Sequence, residues 1–245
     1  MNLTELLAYT AKEYLDDRAD LVDGEPDNLW SDVTLTRYFN EAARILARKA
    51  WILTDIGHAK AGTLVLQTSK EYYKLHPSVI RVYRGTLEDS EVPLGRTTDE
   101  RLSYNRLSSP DDPFDINLPL TATPGRPVAF ATDSAFRILR VYPKPSSVEN
   151  GLRLILKVAR MPICPLSLDE PKEEPEIPEE YQLEGMCKFA AGKCLTHPSV
   201  DVNERAFGRS LLAEFDELVR EARRDRQRAE QSEPRPHYAS STAVL

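Results

Sequence analysis

The sequence predicts an α+β fold. It reads as a helical bundle of two N-terminal and two C-terminal helices, with a small antiparallel β-rich domain inserted between them and an extended C-terminal tail. Three observations carry this. Apolar residues recur every three or four positions near both ends of the chain, the period of a helix with one buried face. In the middle they alternate in short runs bounded by Pro, Gly, Asn and Ser, the period of strands and turns. From Ser232 onward there is no period at all, as in a terminus that orders only against something else. On this reading residues 1–56 and 178–231 form the bundle, 57–177 the β-rich domain with a long irregular arm, and 232–245 the tail.

The first helix spans residues 2–18, with Asn2 as cap and Glu5 three residues on, the spacing of a capping box. Leu3, Leu6, Leu7, Ala11, Tyr14 and Leu15 make its buried stripe, and Asp16, Asp17 and Asp20 crowd the negative end of its dipole, where it is expected to fray. A polar loop at 19–30 holds Gly24 and Pro26. The stretch from Asn28 to Trp51 is the clearest helix in the chain, running to about Leu53. Ser31 or Asp32 caps it, and Leu35, Tyr38, Phe39, Ala42, Ala43, Leu46 and Ala50 face inward. Arg37, Glu41, Arg44 and Arg48 take the other side, and Trp30 is placed to fold back as a hydrophobic staple.

From Gly57 the pattern becomes strand-like. Strands are expected at 62–68, 71–75, 79–87, 127–131, 136–142 and 152–159, and a short helix at Thr98 to Arg106. The strands at 136–142 and 152–159 are expected to pair antiparallel through the short connection at 143–151. The stretch 88–126 is otherwise irregular, and a connection this long is usually functional or a contact arm. Residues 165–180, with Pro165, Pro171, Pro175 and seven carboxylates, read as an extended linker unable to build a core. Pro178 then opens a third helix that includes Tyr181, Leu183, Met186, Phe189, Ala190, Cys194 and Leu195 and ends at His197-Pro198. A fourth runs over 199–230 with a stripe of Phe207, Leu211, Leu212, Phe215, Leu218, Val219 and Ala222. Beyond Ala222 the stripe stops and the helix is expected to project into solvent or a partner.

Composition narrows the function. A net charge of −7 argues against tight non-specific binding to a nucleic-acid backbone. Three cysteines, an odd number, with no basic start and apolar block at the N-terminus point to reduced thiols and cytosolic synthesis. No run approaches the ~18 apolar residues of a membrane span.

No catalytic signature is present. The chain lacks G-x-x-x-x-G-K-[ST], G-x-G-x-x-G and G-x-S-x-G, and its four histidines are scattered, with His76 and His197 each before a proline as turn residues. Cys187, Cys194 and His197 are the best metal candidates, yet the tight C-x-x-C pair of a structural zinc is missing and both cysteines lie among apolar residues. Neither metal nor cofactor is expected. In the cluster Arg220, Arg223, Arg224, Arg226 and Arg228, the interleaved Glu217, Glu221, Asp225 and Glu230 read as self-paired charge.

The order of parts carries a resemblance. The helix LWSDVTLTRYFNEAARILARKA is followed by LHPSVIRVYRGTL, GRPVAFATD and LRVYPKP, and then by IPEEYQLEGMCKFAAGKCL with a long charged helical end. Over roughly Met1 to Arg228 this resembles the head-to-tail adaptor proteins of tailed bacteriophages, the group that includes tail tubular protein A of short-tailed phages. The resemblance implies a non-enzymatic virion protein at the head-to-tail junction, assembled in the host cytoplasm. It implies a homo-dodecameric ring that binds the portal protein above and a tail nozzle or tail tube protein below, with genomic DNA passing through unbound. It further implies portal docking through the C-terminal segment, here Arg223, Arg224, Arg226, Arg228, His237, Tyr238, Val244 and Leu245. In the irregular arm, Pro110, Phe114, Ile116 and Leu118 are the candidates for contact with a neighbouring subunit or the nozzle. The alternatives are a tail-completion or assembly factor, a small DNA-binding regulator using the Arg220–Arg228 face, and an enzyme with the arm as a lid.

Overall fold

The computed structural model describes residues 1–15, 30–104 and 124–232. The expected acidic end of the first helix, the loop up to Leu29, most of the irregular arm and the tail from Glu233 lie outside them. The described chain falls into two units, Met1–Leu53 with Met161–Ser232, and Thr54–Arg160. The protein is α+β.

The first unit is helical. Helix α1 (Leu3–Tyr14) has the expected capping box: the Asn2 side chain accepts the Glu5 N–H at 3.0 Å and Glu5 Oε2 accepts the Asn2 N–H at 3.0 Å. Leu3, Leu6 and Thr10 are buried, with Leu7, Tyr14 and Leu15 packed partly against the core. Helix α2 (Asp32–Ala50) is capped by Ser31 and buries Leu35, Phe39, Ala42, Ala43, Leu46, Ala47 and Ala50. It stops three residues short of Leu53. Trp51 adopts a left-handed backbone (φ 57°) and turns its N–H back to the Ala47 carbonyl, which ends the helix. Trp30 packs against the same core, edge-on to His197 with ring centroids 5.7 Å apart.

The third helix differs from the expected continuous one. A 3-10 turn (Glu179–Tyr181) leads into a π-helical stretch (Gln182–Cys187), and only then into α4 (Lys188–Leu195). The buried Gln182 donates to the Ile177 carbonyl at 2.9 Å, and this polar anchor inside the core sits where the helix widens. Helix α5 (Val202–Ser232) follows, buried along Leu211, Phe215, Val219 and Ala222. Phe207 is at the edge of that stripe and is half-exposed.

The second unit holds two four-stranded sheets. Its strands are β1 (Thr54–Ile56), β2 (Thr63–Val65), β3 (Tyr72–Lys74), β4 (Val79–Leu87), β5 (Gly95–Arg96), β6 (Ala129–Ala131), β7 (Ile138–Tyr142) and β8 (Arg153–Arg160), with a short helix α3 (Asp99–Tyr104) after β5. In one sheet β8 is central. Ile155 pairs with Thr63 of β2 on one side and Thr86 of β4 on the other, and β1 continues the β2 side at Thr54↔Ala159. In the other sheet the order is β3-β7-β6-β5, antiparallel except for β5 with β6. The sheets face one another, since a Cβ on Gly85 of β4 would lie 3.6 Å from the Phe130 ring of β6.

The expected pairing of β7 with β8 is therefore wrong. Arg140 of β7 pairs with Tyr72 and with Ala131, so both edges of β7 are occupied, as are both edges of β8. The connection at 143–151 crosses between sheets instead of turning a hairpin. Its backbone is committed elsewhere: the Lys144 carbonyl accepts the Gly125 N–H at 2.8 Å and the Pro145 carbonyl accepts the Ser69 N–H at 2.8 Å.

The return segment also differs from a solvated linker. Residues 161–177, expected with the β-rich domain, belong to the helical unit, and Leu166 and Ile177 are buried in its core. The Asn40 side chain of α2 bonds both the N–H and the carbonyl of Leu166 (2.8 and 2.9 Å). The Glu176 carboxylate accepts the N–H groups of Ile163 and Cys164. The free N–H groups of Leu3 and Thr4 at the start of α1 donate to the Glu173 and Pro171 carbonyls at 3.2 Å. Carboxylate-rich composition was a poor guide because two apolar anchors and backbone bonds suffice to fix an extended chain.

Candidate docking surface

Helix α5 is the element that carries the candidate docking arginines. Asp201 starts it, accepting the Asn203 N–H on its side chain at 2.8 Å and the Arg205 N–H on its carbonyl at 2.9 Å. It lies close against α4 because glycines face each other there. A Cβ on Gly208 would be 2.8 Å from Leu195 Cβ, and one on Gly192 would be 2.9 Å from Leu212 Cγ. Further along, the Phe189 and Phe215 rings meet at 4.7 Å. Lys188 of α4 bridges Glu184 and Glu214, and these bonds, Glu184's first, raise its pKa against the cost of burial.

Beyond Ala222 the helix continues with mostly charged residues, exposed except for Arg226 and Glu230, which are half-buried. Arg223 is bound within the unit: its guanidinium lies 4.6 Å over the Trp51 ring and Nη1 donates to the Lys49 carbonyl at 3.2 Å, at the negative end of α2. Arg224 pairs with Glu217 at 2.8 Å, a carboxylate it shares with Arg220, and Arg228 pairs with Asp225 at 3.3 Å. The self-pairing expected from the interleaved signs is present. Such exposed pairs are worth about 0–1 kcal/mol, so a partner's carboxylates can displace them at little cost. His237, Tyr238, Val244 and Leu245 lie outside the described residues.

The candidate arm residues Pro110, Phe114, Ile116 and Leu118 also lie outside, but both roots of the arm are described. At the leading root, Asp99 of α3 donates its N–H to Asp133 at 2.8 Å and takes Arg140 Nη1 on its carboxylate at 2.7 Å. Leu102 packs on Ala129, Ala131 and Tyr142. Arg140 Nε binds Glu71, which also faces Lys144 at 3.7 Å. Burial opposes ionisation of Asp99, yet the hydrogen bonds from Arg140 and Ser134 hold its carboxyl below the ordinary value. At the trailing root, Arg126 forms a two-pronged pair with Asp89 (2.9 and 2.6 Å) and Pro127 is buried. Sequence reasoning missed the Arg140 cluster. The available signal was an arginine inside the alternating run Ile138–Tyr142.

Cys187 and Cys194 are buried in the helical core, and burial pushes the Cys187 thiol up to about 11. His197 turns its Nδ1 to the Ser199 hydroxyl at 2.7 Å, and His76 does the same with Ser78 at 2.8 Å. Both sit in the same His-Pro-Ser-Val turn, closed by Val N–H to His carbonyl bonds of 3.1 and 3.0 Å. Among the described residues no three His, Cys, Asp or Glu side chains gather as metal ligands, and no helix is long and apolar enough to cross a membrane.

No curated protein matches the chain. Residues 1–237 do match the family model described as SU10 adaptor protein, a span that takes in both units, the arm and the first part of the tail. The chain belongs to the SU10 adaptor family of structural phage proteins, consistent with a head-to-tail adaptor.

Proposed function

We propose that the protein is a ring-forming connector between the portal and the tail of a tailed phage, a homo-dodecamer that joins head to tail and serves as a conduit for DNA during ejection. The observation that carries this is the family match over nearly the whole chain. In this role the four helices α1, α2, α4 and α5 act as the bundle of each subunit. The portal is engaged by the end of α5 and the tail, with Arg224 and Arg228 exchanging their internal partners for the portal's, and Tyr238, Val244 and Leu245 as anchors. Arg223 serves differently, fixing the root of that segment to Trp51. The arm at 105–123 reaches the neighbouring subunit or the nozzle from roots pinned by Arg140 and Arg126. DNA passes without specific binding, since net negative charge repels phosphate. The protein acts as structure and not as catalyst, at the head-to-tail junction of the virion.

Deleting Ser232 to Leu245 tests the docking assignment. The truncated chain is expected to keep its circular dichroism spectrum and to lose co-sedimentation with the portal protein. Undiminished attachment would overturn the assignment.

A further inference from the structure

We propose that the outward face of α2 is one half of the contact between neighbouring copies, and that the other half is the acidic return segment of the next copy. The proposal rests on the ring reading and names its interface. On the helical wheel Arg37, Arg44 and Arg48 lie directly opposite the buried line of Leu35, Phe39, Leu46 and Ala50. All three are exposed, and none forms an ion pair or hydrogen bond with a described residue. They form a stripe about 17 Å long at 1.5 Å per residue. Glu41, on the same side, is already neutralised by Lys193 at 3.1 Å, so among the described residues the stripe is a cationic face with no paired carboxylate, in a chain of net charge −7. Val33, 66% exposed, stands at its N-terminal end.

The complementary surface is on the same unit. Glu170, Glu173, Glu174 and Glu179 form no ion pair among the described residues, and Leu168 beside them is 39% exposed. Their backbone is nonetheless fixed, by Asn40 at Leu166 and by the start of α1 at Pro171 and Glu173. A pinned row of carboxylates fits arginine forks, which pair two-pronged with carboxylates. The two faces are carried by different segments of one unit, so the contact pairs unlike patches; repeated from copy to copy, such a contact closes into a ring when its rotation permits. A nucleic-acid backbone is the poorer occupant, because the same unit's unpaired carboxylates repel it.

The test uses the full chain mixed with the portal protein, read by sedimentation velocity and negative-stain microscopy. Reversing Arg37→Glu, Arg44→Glu and Arg48→Glu together is expected to lower the ring fraction about tenfold or more, with the circular dichroism spectrum unchanged. Reversing Glu170→Arg, Glu173→Arg and Glu174→Arg is expected to do the same, and both sets in one chain to restore rings. If a reversed chain fails to fold, the three Arg→Gln changes replace it, and their rings are expected to dissociate at lower salt than the wild type. Rings that survive either reversal, or that the combined chain fails to recover, overturn the contact while leaving the ring standing. Rings that persist while the arginine reversal abolishes retention of duplex DNA assign the stripe to DNA and overturn it too. A wild-type chain that forms no ring even with the portal removes the ring reading and this contact with it.

Discussion

Different physics holds each of the two units together internally. The helical unit closes on a main apolar core running from Leu3 through Phe39 and Phe189 to Ala222, in which the pinned return segment takes part, and on a second cluster of Ala191, Leu195, Val200 and Leu211. The β unit depends on pairings between distant segments, such as Thr54 with Ala159. On the outer side of β7 it carries an arginine, Arg140, shared between Glu71 and Asp99. The first unit is vulnerable to a cavity, the second to an uncompensated charge. Both tryptophans, Trp30 and Trp51, lie in the helical unit, so tryptophan fluorescence reads that unit alone.

The largest expected effect is in the helical core. Phe215 is 2% exposed and its ring meets Phe189, so Phe215→Ala should destabilise the unit by about 3–5 kcal/mol, read as a lower urea midpoint of tryptophan fluorescence. A loss under about 1 kcal/mol would mean that the stripe does not close the core. Next comes the charge cluster of the β unit. Arg140→Met leaves Asp99 without this cation and Glu71 with the more distant Lys144 at 3.7 Å, which should cost about 3 kcal/mol. Faster amide exchange in β3 and β7, with the fluorescence midpoint unchanged, would show that the cost stays in the β unit.

The same cluster gives a pH signature. Asp99 has its folded pKa lowered below the ordinary 3.8, so its contribution is fully present above that value and is lost as pH falls through the lower folded one. In Arg140→Met this acid-induced loosening of α3 should begin at higher pH. Smaller again is Gly208→Ala, whose Cβ would press on Leu195 Cβ; the overlap should cost about 1–3 kcal/mol, again in fluorescence. Smallest is Arg224→Ala, which removes one exposed pair with Glu217 and should change stability by about 0–1 kcal/mol while weakening portal attachment.

The same contrast explains what was legible in the sequence. Helix caps and stripes are local, so Asn2 with Glu5, Ser31, and the line Leu211–Phe215–Val219–Ala222 could be read directly. The strand at 152–159 was legible by its alternation. Its partner was not, because pairing is decided by which edges remain open once every strand is placed, and β8 had none left for β7. The end of α2 at Trp51 was missed because a left-handed tryptophan is held by Arg223, far along the chain. The return segment was misjudged for a related reason: its anchors, Leu166 and Ile177, are two residues in a run dominated by charge. For the docking surface, mixed charge on α5 was legible, but the separate commitment of Arg223 to α2 was not.

The most direct test of the central claim is negative-stain electron microscopy of the purified protein, alone and mixed with its portal protein. The account predicts rings of twelve-fold symmetry, either from the protein alone or once the portal is added. A particle that stays monomeric and ignores the portal would contradict it.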